Sequence, residues 1–547
     1  MVPKHIYSLQ WIFSLGGRPI LRFTLLIFIL FSSLIGQEEM PYNKLVEELG
    51  CGNCHLGMAI SDTMLLRTPD LSYSGEKYNE AFLYAYLKEP YKVRHNIGLS
   101  RMPNFLFSDD EALAVTKYLM SRKNLPLDSK IQKRTMGAST GGFEIIHGDY
   151  QCTSCHPLNN VGKQLSTDFN ETGSRLNSDW MFDFIETPEK YVPKGSSMPK
   201  FFGDDFGHGL DEYSEKTITT MVSYFFEISQ AKREELDSAF VLIEQAYPNI
   251  TAEMGRKIFQ SQFCQACHQM TGEEIWFDRN APDMNQQKTR TNKEWLTNYL
   301  LKTEAIRPFG FFPGTGSRMP DCRLTETEVN TLIDWIGTET EETQLEPITY
   351  FLSRKVERLI DDFLPCKGCH QMDGKGGEIG PDLSNVGERL TNEFIKTAVN
   401  NPHETLPGSI MPKTEMDPLL IPQIVSYLAN KRSDNKVIYP NLVEQQPYQV
   451  TDSYEGNCAP CHGLKGDGKG FNEASLPVKP GDFTDTNQMA QRADDTLYDT
   501  IHVGGRIMNK NHFMPGWGEK MSPQEIIGFV QTIRDFCDCE QPGWAKN

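Results

Sequence analysis

Cys51-Gly-Asn-Cys54-His55 decides the reading of this chain, because the same pattern returns four more times. The copies are Cys152-Thr-Ser-Cys155-His156, Cys264-Gln-Ala-Cys267-His268, Cys366-Lys-Gly-Cys369-His370 and Cys458-Ala-Pro-Cys461-His462. Two thiols three positions apart match the two vinyl groups of one haem, and the imidazole just after the second cysteine lies under the ring and ligates iron. A lone copy would also read as a thioredoxin-like redox pair or half of a zinc site. Five copies, every one with its histidine, point to five covalently bound haem c groups.

The second axial face of each iron needs a ligand, and a Met-Pro pair follows every motif: Met102-Pro103, Met198-Pro199, Met319-Pro320, Met411-Pro412 and Met514-Pro515. The separations from histidine to methionine are 47, 42, 51, 41 and 52 residues. The expected iron ligands are therefore His55 with Met102, His156 with Met198, His268 with Met319, His370 with Met411 and His462 with Met514. A single methionine usually fills a gap in a core, but a Pro-stiffened loop is a poor place for one. At the fifth site His512 stands two residues before Met514 as a competing ligand.

Each unit resembles a class I cytochrome c domain, with an N-terminal helix, the haem motif, a loop, a methionine and a C-terminal helix. The resemblance implies an all-α fold of five tandem domains, each around one covalent haem. The expected boundaries are residues 1–36 for an export segment and 38–125, 138–233, 245–340, 348–432 and 445–547 for the domains. A length of 547 residues agrees with units of ~100 residues.

The first four units repeat an acidic, a basic and an aromatic residue at fixed offsets: Asp70, Lys77, Phe82; Asp168, Arg175, Trp180; Asp283, Arg290, Trp295; Asp382, Arg389, Phe394. The resemblance implies that the carbonyls of Pro69, Pro282 and Pro381 accept the second N–H of the ligating imidazole, a contact that fixes the ring; the second unit has Thr167 there. Lys77, Arg175, Arg290 and Arg389 are candidates for pairing with a haem propionate, against the alternative of solvated charges at helix starts. The aromatics begin amphipathic helices, and a further helix closes each unit after its methionine, at 109–120, 214–226, 326–336, 419–428 and 523–536. The fifth unit departs from the pattern, with a Gly-rich turn at 463–470. It resembles single-haem domains fused to or feeding terminal oxidases, so the fifth haem is an expected electron port. The polar linkers at 123–142, 338–343 and 431–449 are short enough that neighbouring units should pack.

Lys4, Arg18 and Arg22 precede the apolar run 23–35, which is the length of a signal-peptide core rather than a membrane span. Gly36 suits a cleavage site and Leu34 does not, so both a cleaved signal peptide and an uncleaved anchor remain open. Haem attachment of this kind occurs outside the cytoplasmic membrane, so the periplasm or the outer face of that membrane is the expected location. Of thirteen cysteines, ten belong to the motifs. Cys322, Cys537 and Cys539 read as buried or idle thiols, the last two being too close in sequence for an unstrained bridge. The net charge of −19 becomes −22 without the three basic residues of the export segment, which argues against nucleic acid and anionic membranes as partners.

Five six-coordinate irons leave no position for a substrate, and His/Met ligation raises reduction potential. The expected function is electron transfer between respiratory partners: a dehydrogenase or quinol-oxidising donor and an oxidase or reductase acceptor. No catalytic residue is assigned. Two alternatives stay open. One is a peroxidase- or reductase-like enzyme with one open haem, for which His95, His147, His208, His403, His502 and His512 are the spare histidines. The other is the cytochrome subunit of a larger complex.

Overall fold

The computed structural model describes residues 42–546 except 62–63, 96–97, 124–134, 193–195, 204–209, 273–280, 308–317, 338–344, 346, 434–436, 440 and 445–452. The export segment at 1–36, the acidic linker at 338–343 and parts of the other two linkers lie outside the described residues. Among the described residues, no helix is long and apolar enough to cross a membrane.

The described chain is helical, with one β element, the two-residue hairpin strands Gln371–Met372 and Lys375–Gly376. The helices of eight or more residues are α1 (Tyr42–Leu49), α2 (Glu80–Lys88), α3 (Asp109–Met120), α4 (Ser178–Glu186), α5 (Glu212–Ile228), α6 (Gln230–Ala246), α7 (Ala252–Ser261), α8 (Lys293–Leu301), α9 (Glu326–Ile336), α10 (Tyr350–Asp362), α11 (Asn392–Asn400), α12 (Ile421–Ala429), α13 (Asp494–Val503) and α14 (Pro523–Cys537). Capping boxes start three of the closing helices: Ser108 with Glu111, Thr325 with Glu328, and Ser522 with Glu525. Each box satisfies two backbone N–H groups that a helix start leaves open.

In the fourth and fifth units the core is built from the unit's own residues, and in the second it is so apart from Tyr73 of the first unit. Ile146, Trp180, Phe182, Ile218 and Phe225 form one cluster, Val356, Ile360, Ile395 and Val425 a second, and Leu497, Ile526, Phe529 and Ile533 a third. The first and third units differ. Ile258 and Phe259 of α7 lie in one core with Leu83, Leu87, Val115 and Leu119, so the opening helix of the third unit packs on the closing helix of the first. Reciprocally, Leu45 and Val46 of α1 lie with Leu296, Leu300, Val329 and Ile333 of α8 and α9. A Cβ on Gly255 would stand 1.8 Å from the Ala114 carbonyl oxygen, so α7 and α3 cross with backbones touching. The expected self-contained domains at 38–125 and 245–340 are thereby corrected: the two stretches interlock, each supplying half of two cores.

The region between the second and third expected domains is also ordered. Helix α6 covers residues 230–246 and lays Phe240 against Ala81 and Leu113 of the first unit.

Candidate haem sites

All five motifs fold into one turn of helix in which the histidine N–H donates to the carbonyl of the first cysteine: His55 to Cys51 at 3.0 Å, His156 to Cys152 at 3.1 Å, and His268, His370 and His462 to Cys264, Cys366 and Cys458 at 2.9 Å. That turn sets both thiols and the imidazole around one point. A residue with left-handed φ introduces the turn at Gly50 (71°), Gln151 (50°) and Phe263 (56°). In the fifth unit Gly463, Gly466 and Gly468 all have φ between 72° and 79°, which explains the Gly-rich run there.

Each imidazole is anchored through Nδ1 on a backbone carbonyl, which leaves Nε2 for iron. His370 donates to Pro381 at 2.8 Å, as the sequence suggested. His156 donates to Thr167 at 2.8 Å, so the missing proline costs nothing, because the acceptor is a backbone carbonyl that any residue supplies. His462 uses Gly481 at 3.2 Å. His55 donates to Pro282 at 3.0 Å and His268 to Pro69 at 3.1 Å. The expected contacts, each histidine to the proline of its own unit, are corrected by these two.

The exchange recurs in further hydrogen bonds of that loop. In the fourth unit, Leu383 N–H donates to the Gln371 carbonyl at 2.9 Å and Asp373 N–H to Ser384 Oγ at 2.7 Å. The corresponding bonds around His268 run between units, from Leu71 to Gln269 at 2.9 Å and from Thr271 to Ser72 Oγ at 2.7 Å. Around His55, Met284 N–H donates to Leu56 at 3.0 Å. The methionines follow: Met102 packs on the core that holds Cys264, and Met319 on the core that holds Cys51. The sequence carries a signal for this. From histidine to the repeated aspartate is 12 residues in the second and fourth units (His156 to Asp168, His370 to Asp382) and 15 in the first and third (His55 to Asp70, His268 to Asp283). The two units that exchange have the longer crossover segment.

His55 with Met319, His370 with Met411 and His462 with Met514 line one continuous cavity of about 1200 Å³, together with Cys51, Cys54, Cys366, Cys369, Cys458 and Cys461. Burial lowers the pKa of all five motif histidines, a shift toward the neutral form that ligation requires. Met198 sits half-buried in the loop before Phe202, whose ring is in the core that holds Cys152. Cys322 also lines the cavity. His512 turns away from the ligand position, its Nε2 donating to the Asp361 carbonyl of the fourth unit at 2.8 Å.

Arg290, Arg307 and Arg389 line the cavity together. Burial, then the neighbouring guanidiniums, pushes Arg307 down to about 9; burial pushes Arg290 and Arg389 down to about 10. Clustered buried cations call for anions, and haem propionates supply them, so the lining fits haem in charge as well as in shape. Burial likewise lowers Arg175, while the Lys77 ammonium lies 4.9 Å over the Trp180 ring. Arg307 escaped the sequence reading. Its position stands 24 residues after Asp283, and Arg94 stands 24 after Asp70, an offset found by extending the repeat past the aromatic.

Residues 252–339 and 357–431 match the family model for cytochrome c. The chain carries cytochrome c domains. Residues 446–531 match the model for subunit III of cbb3-type cytochrome c oxidase, in agreement with the departure of the fifth unit. Cytochrome c domains imply covalently bound haem c, and the protein is a haem electron-transfer protein. A comparison with curated proteins returns no match.

One expectation about the remaining cysteines is corrected. Cys537 and Cys539 form a disulfide; the left-handed φ of 47° at Asp538, just past the end of α14, folds the chain back so that their Cα atoms stand 5.2 Å apart.

Proposed function

We propose that the protein is a pentahaem c-type cytochrome that carries electrons between respiratory partners outside the cytoplasmic membrane. The observation that carries this is the fivefold recurrence of one local structure: a C-x-x-C-H turn, an imidazole held by a backbone carbonyl and a Met-Pro loop to follow. The metal ligands are His55, His156, His268, His370, His462, Met102, Met198, Met319, Met411 and Met514. The thioether positions are Cys51, Cys54, Cys152, Cys155, Cys264, Cys267, Cys366, Cys369, Cys458 and Cys461. The haem supplies a one-electron couple; the protein fixes the imidazoles, compensates the propionates with buried arginines and excludes water.

Likeness of residues 446–531 to an oxidase subunit supports a partner in a respiratory complex at the fifth site, and favours membership of such a complex as the second reading. Export follows from the requirement that haem be attached outside the membrane.

A spectroelectrochemical titration of the purified protein, with and without carbon monoxide, tests the proposal. Five haems per chain, all low-spin and indifferent to carbon monoxide, support it. A haem that takes carbon monoxide at once would make the protein an enzyme and refute it.

A further inference from the structure

Resting on the five-haem reading above, we infer that the first and third units exchange methionine ligands, His55 with Met319 and His268 with Met102, and that electrons therefore cross the molecule in the order His156, His268, His55, His370, His462. Neither follows from the order of motifs along the chain.

Four interfaces set the order, and they are of two alternating kinds. In the first kind, two short segments that carry the repeated basic residues pair antiparallel. Tyr78 bridges Leu176, with Asn79 N–H on the Arg175 carbonyl at 2.8 Å and Asn177 N–H on the Lys77 carbonyl at 2.9 Å. Thr291 bridges Leu390 in the same way, with Asn292 N–H on Arg389 at 2.9 Å and Thr391 N–H on Arg290 at 3.0 Å. Pro69, Leu71, Ser72 and Met102 complete the His268 site, and Pro282, Met284 and Met319 the His55 site. The first pairing therefore joins His156 to His268, and the second joins His55 to His370. Both place the basic residues at the seam, where Lys77 and Arg175 in the first and the buried Arg290 and Arg389 in the second would meet propionates.

In the second kind, an asparagine amide donates to the backbone inside a neighbouring haem motif. Asn53 Nδ2 donates to the Ala266 carbonyl at 2.7 Å, which sets the His55 and His268 motifs against each other. Asn472 Nδ2 donates to the Gly368 carbonyl at 3.0 Å and lies 3.4 Å from Cys461 Sγ, which sets the His370 motif against that of His462. Ala266 and Gly368 hold the same place in their motifs. At both interfaces the thioether edges of two haems would face each other.

The exchange is fastened by reciprocal ion pairs. Arg101, beside Met102, pairs with Glu328 of α9 at 2.7 Å, and Arg318, beside Met319, pairs with Glu111 of α3 at 2.9 Å. The two methionine loops also pair, Asn104 with Asp321, by two backbone bonds of 2.7 Å. Each transfer along the route oxidises one site by one electron and reduces the next, with no bond made or broken. The terminal sites are His156 and His462, so the port opposite the fifth unit is the second unit.

Ser72 Oγ and Thr271 Oγ1 stand 3.0 Å apart. With exchange, the Ser72→Cys, Thr271→Cys chain carries all five haems and forms a disulfide on export, read as the loss of two hydrogens in intact mass and a linked peptide pair. Closure within the first unit would put position 72 against position 58 instead, as Ser384 faces Asp373 in the fourth unit. A disulfide in the Met58→Cys, Ser72→Cys chain, or none in either, overturns the exchange. The ligand assignment has its own readout. In a chain lacking Cys264 and Cys267, Met102→His should leave the four remaining potentials in place and Met319→His should lower one of them. In a chain lacking Cys51 and Cys54 the outcomes reverse, and the opposite pattern in either background refutes crossed ligation. A protein with fewer than five haems before any substitution would instead refute the five-haem reading itself.

Discussion

Glu111 is the most demanding single residue in the interlocked pair. Its side chain is 1% exposed, and that of its partner Arg318 is 3% exposed. One carboxylate oxygen accepts from Arg318 Nη2 at 2.9 Å and from Leu442 N–H at 2.7 Å; the other accepts from Ser108 N–H at 2.9 Å. Glu111→Gln keeps the shape, removes the charge and turns one acceptor into a donor that faces N–H groups. The Arg318 guanidinium then loses the charge of Glu111, and breaking a buried pair on one side costs ~3–5 kcal/mol. The glutamine amide oxygen can still accept from the Ser108 N–H, so the capping box at the start of α3 adds nothing to that cost. Because α3 belongs to the His268 site and Arg318 to the loop of Met319, both sites should loosen together. The assay is urea unfolding followed by the methionine–iron charge-transfer absorption. Glu111→Leu with Arg318→Met should recover most of the loss, since apolar replacement of a buried pair is often neutral. A loss below ~1 kcal/mol, the worth of an exposed pair, or a double variant as unstable as the single one, refutes the reasoning.

Gly255→Ala should destabilise the His268 site by ~1–3 kcal/mol, the usual cost of overpacking, because the added Cβ would lie 1.8 Å from the Ala114 carbonyl; unchanged unfolding midpoints would contradict the helix crossing. Gly368→Ala puts a Cβ 2.2 Å from the Phe513 carbonyl and should slow electron exchange between the His370 and His462 sites in stopped-flow reduction while leaving both spectra intact. Lys520 donates to the Ser409 carbonyl at 3.0 Å and to Asn457 Oδ1 at 3.2 Å, and burial pushes its pKa from 10.5 down to about 8. Between those values the unfolded chain holds a proton that the folded chain lacks, so stability should rise with pH from about 8 to 10.5. Lys520→Met should flatten that slope in urea titrations, and a wild-type slope no steeper than the variant's would count against the shift.

The local chemistry of this protein was legible in its sequence because it is local. A C-x-x-C-H turn closes by a hydrogen bond over four residues, so its spacing alone shapes it. The acidic, basic and aromatic repeat is of the same kind, and the oxidase-like fifth unit showed in its glycines. The Cys537–Cys539 bridge was missed because spacing alone does not report a left-handed turn at Asp538. Partnership between segments is another matter. Residues 56–68 can double back to their own unit or cross to the next, and either route buries the same kinds of side chain and satisfies the same Pro carbonyls. The sequence of each half is therefore compatible with both closures; its one hint is the three extra residues between His55 and Asp70 and between His268 and Asp283. Tertiary structure decided the rest, because the close crossing of α7 over α3 at Gly255 and the pairing of Arg101 and Arg318 with each other's neighbouring helices are contacts between residues roughly 140 to 230 positions apart. Motif spacing determined what each site is, and long-range packing determined which halves make it and which site stands next to which.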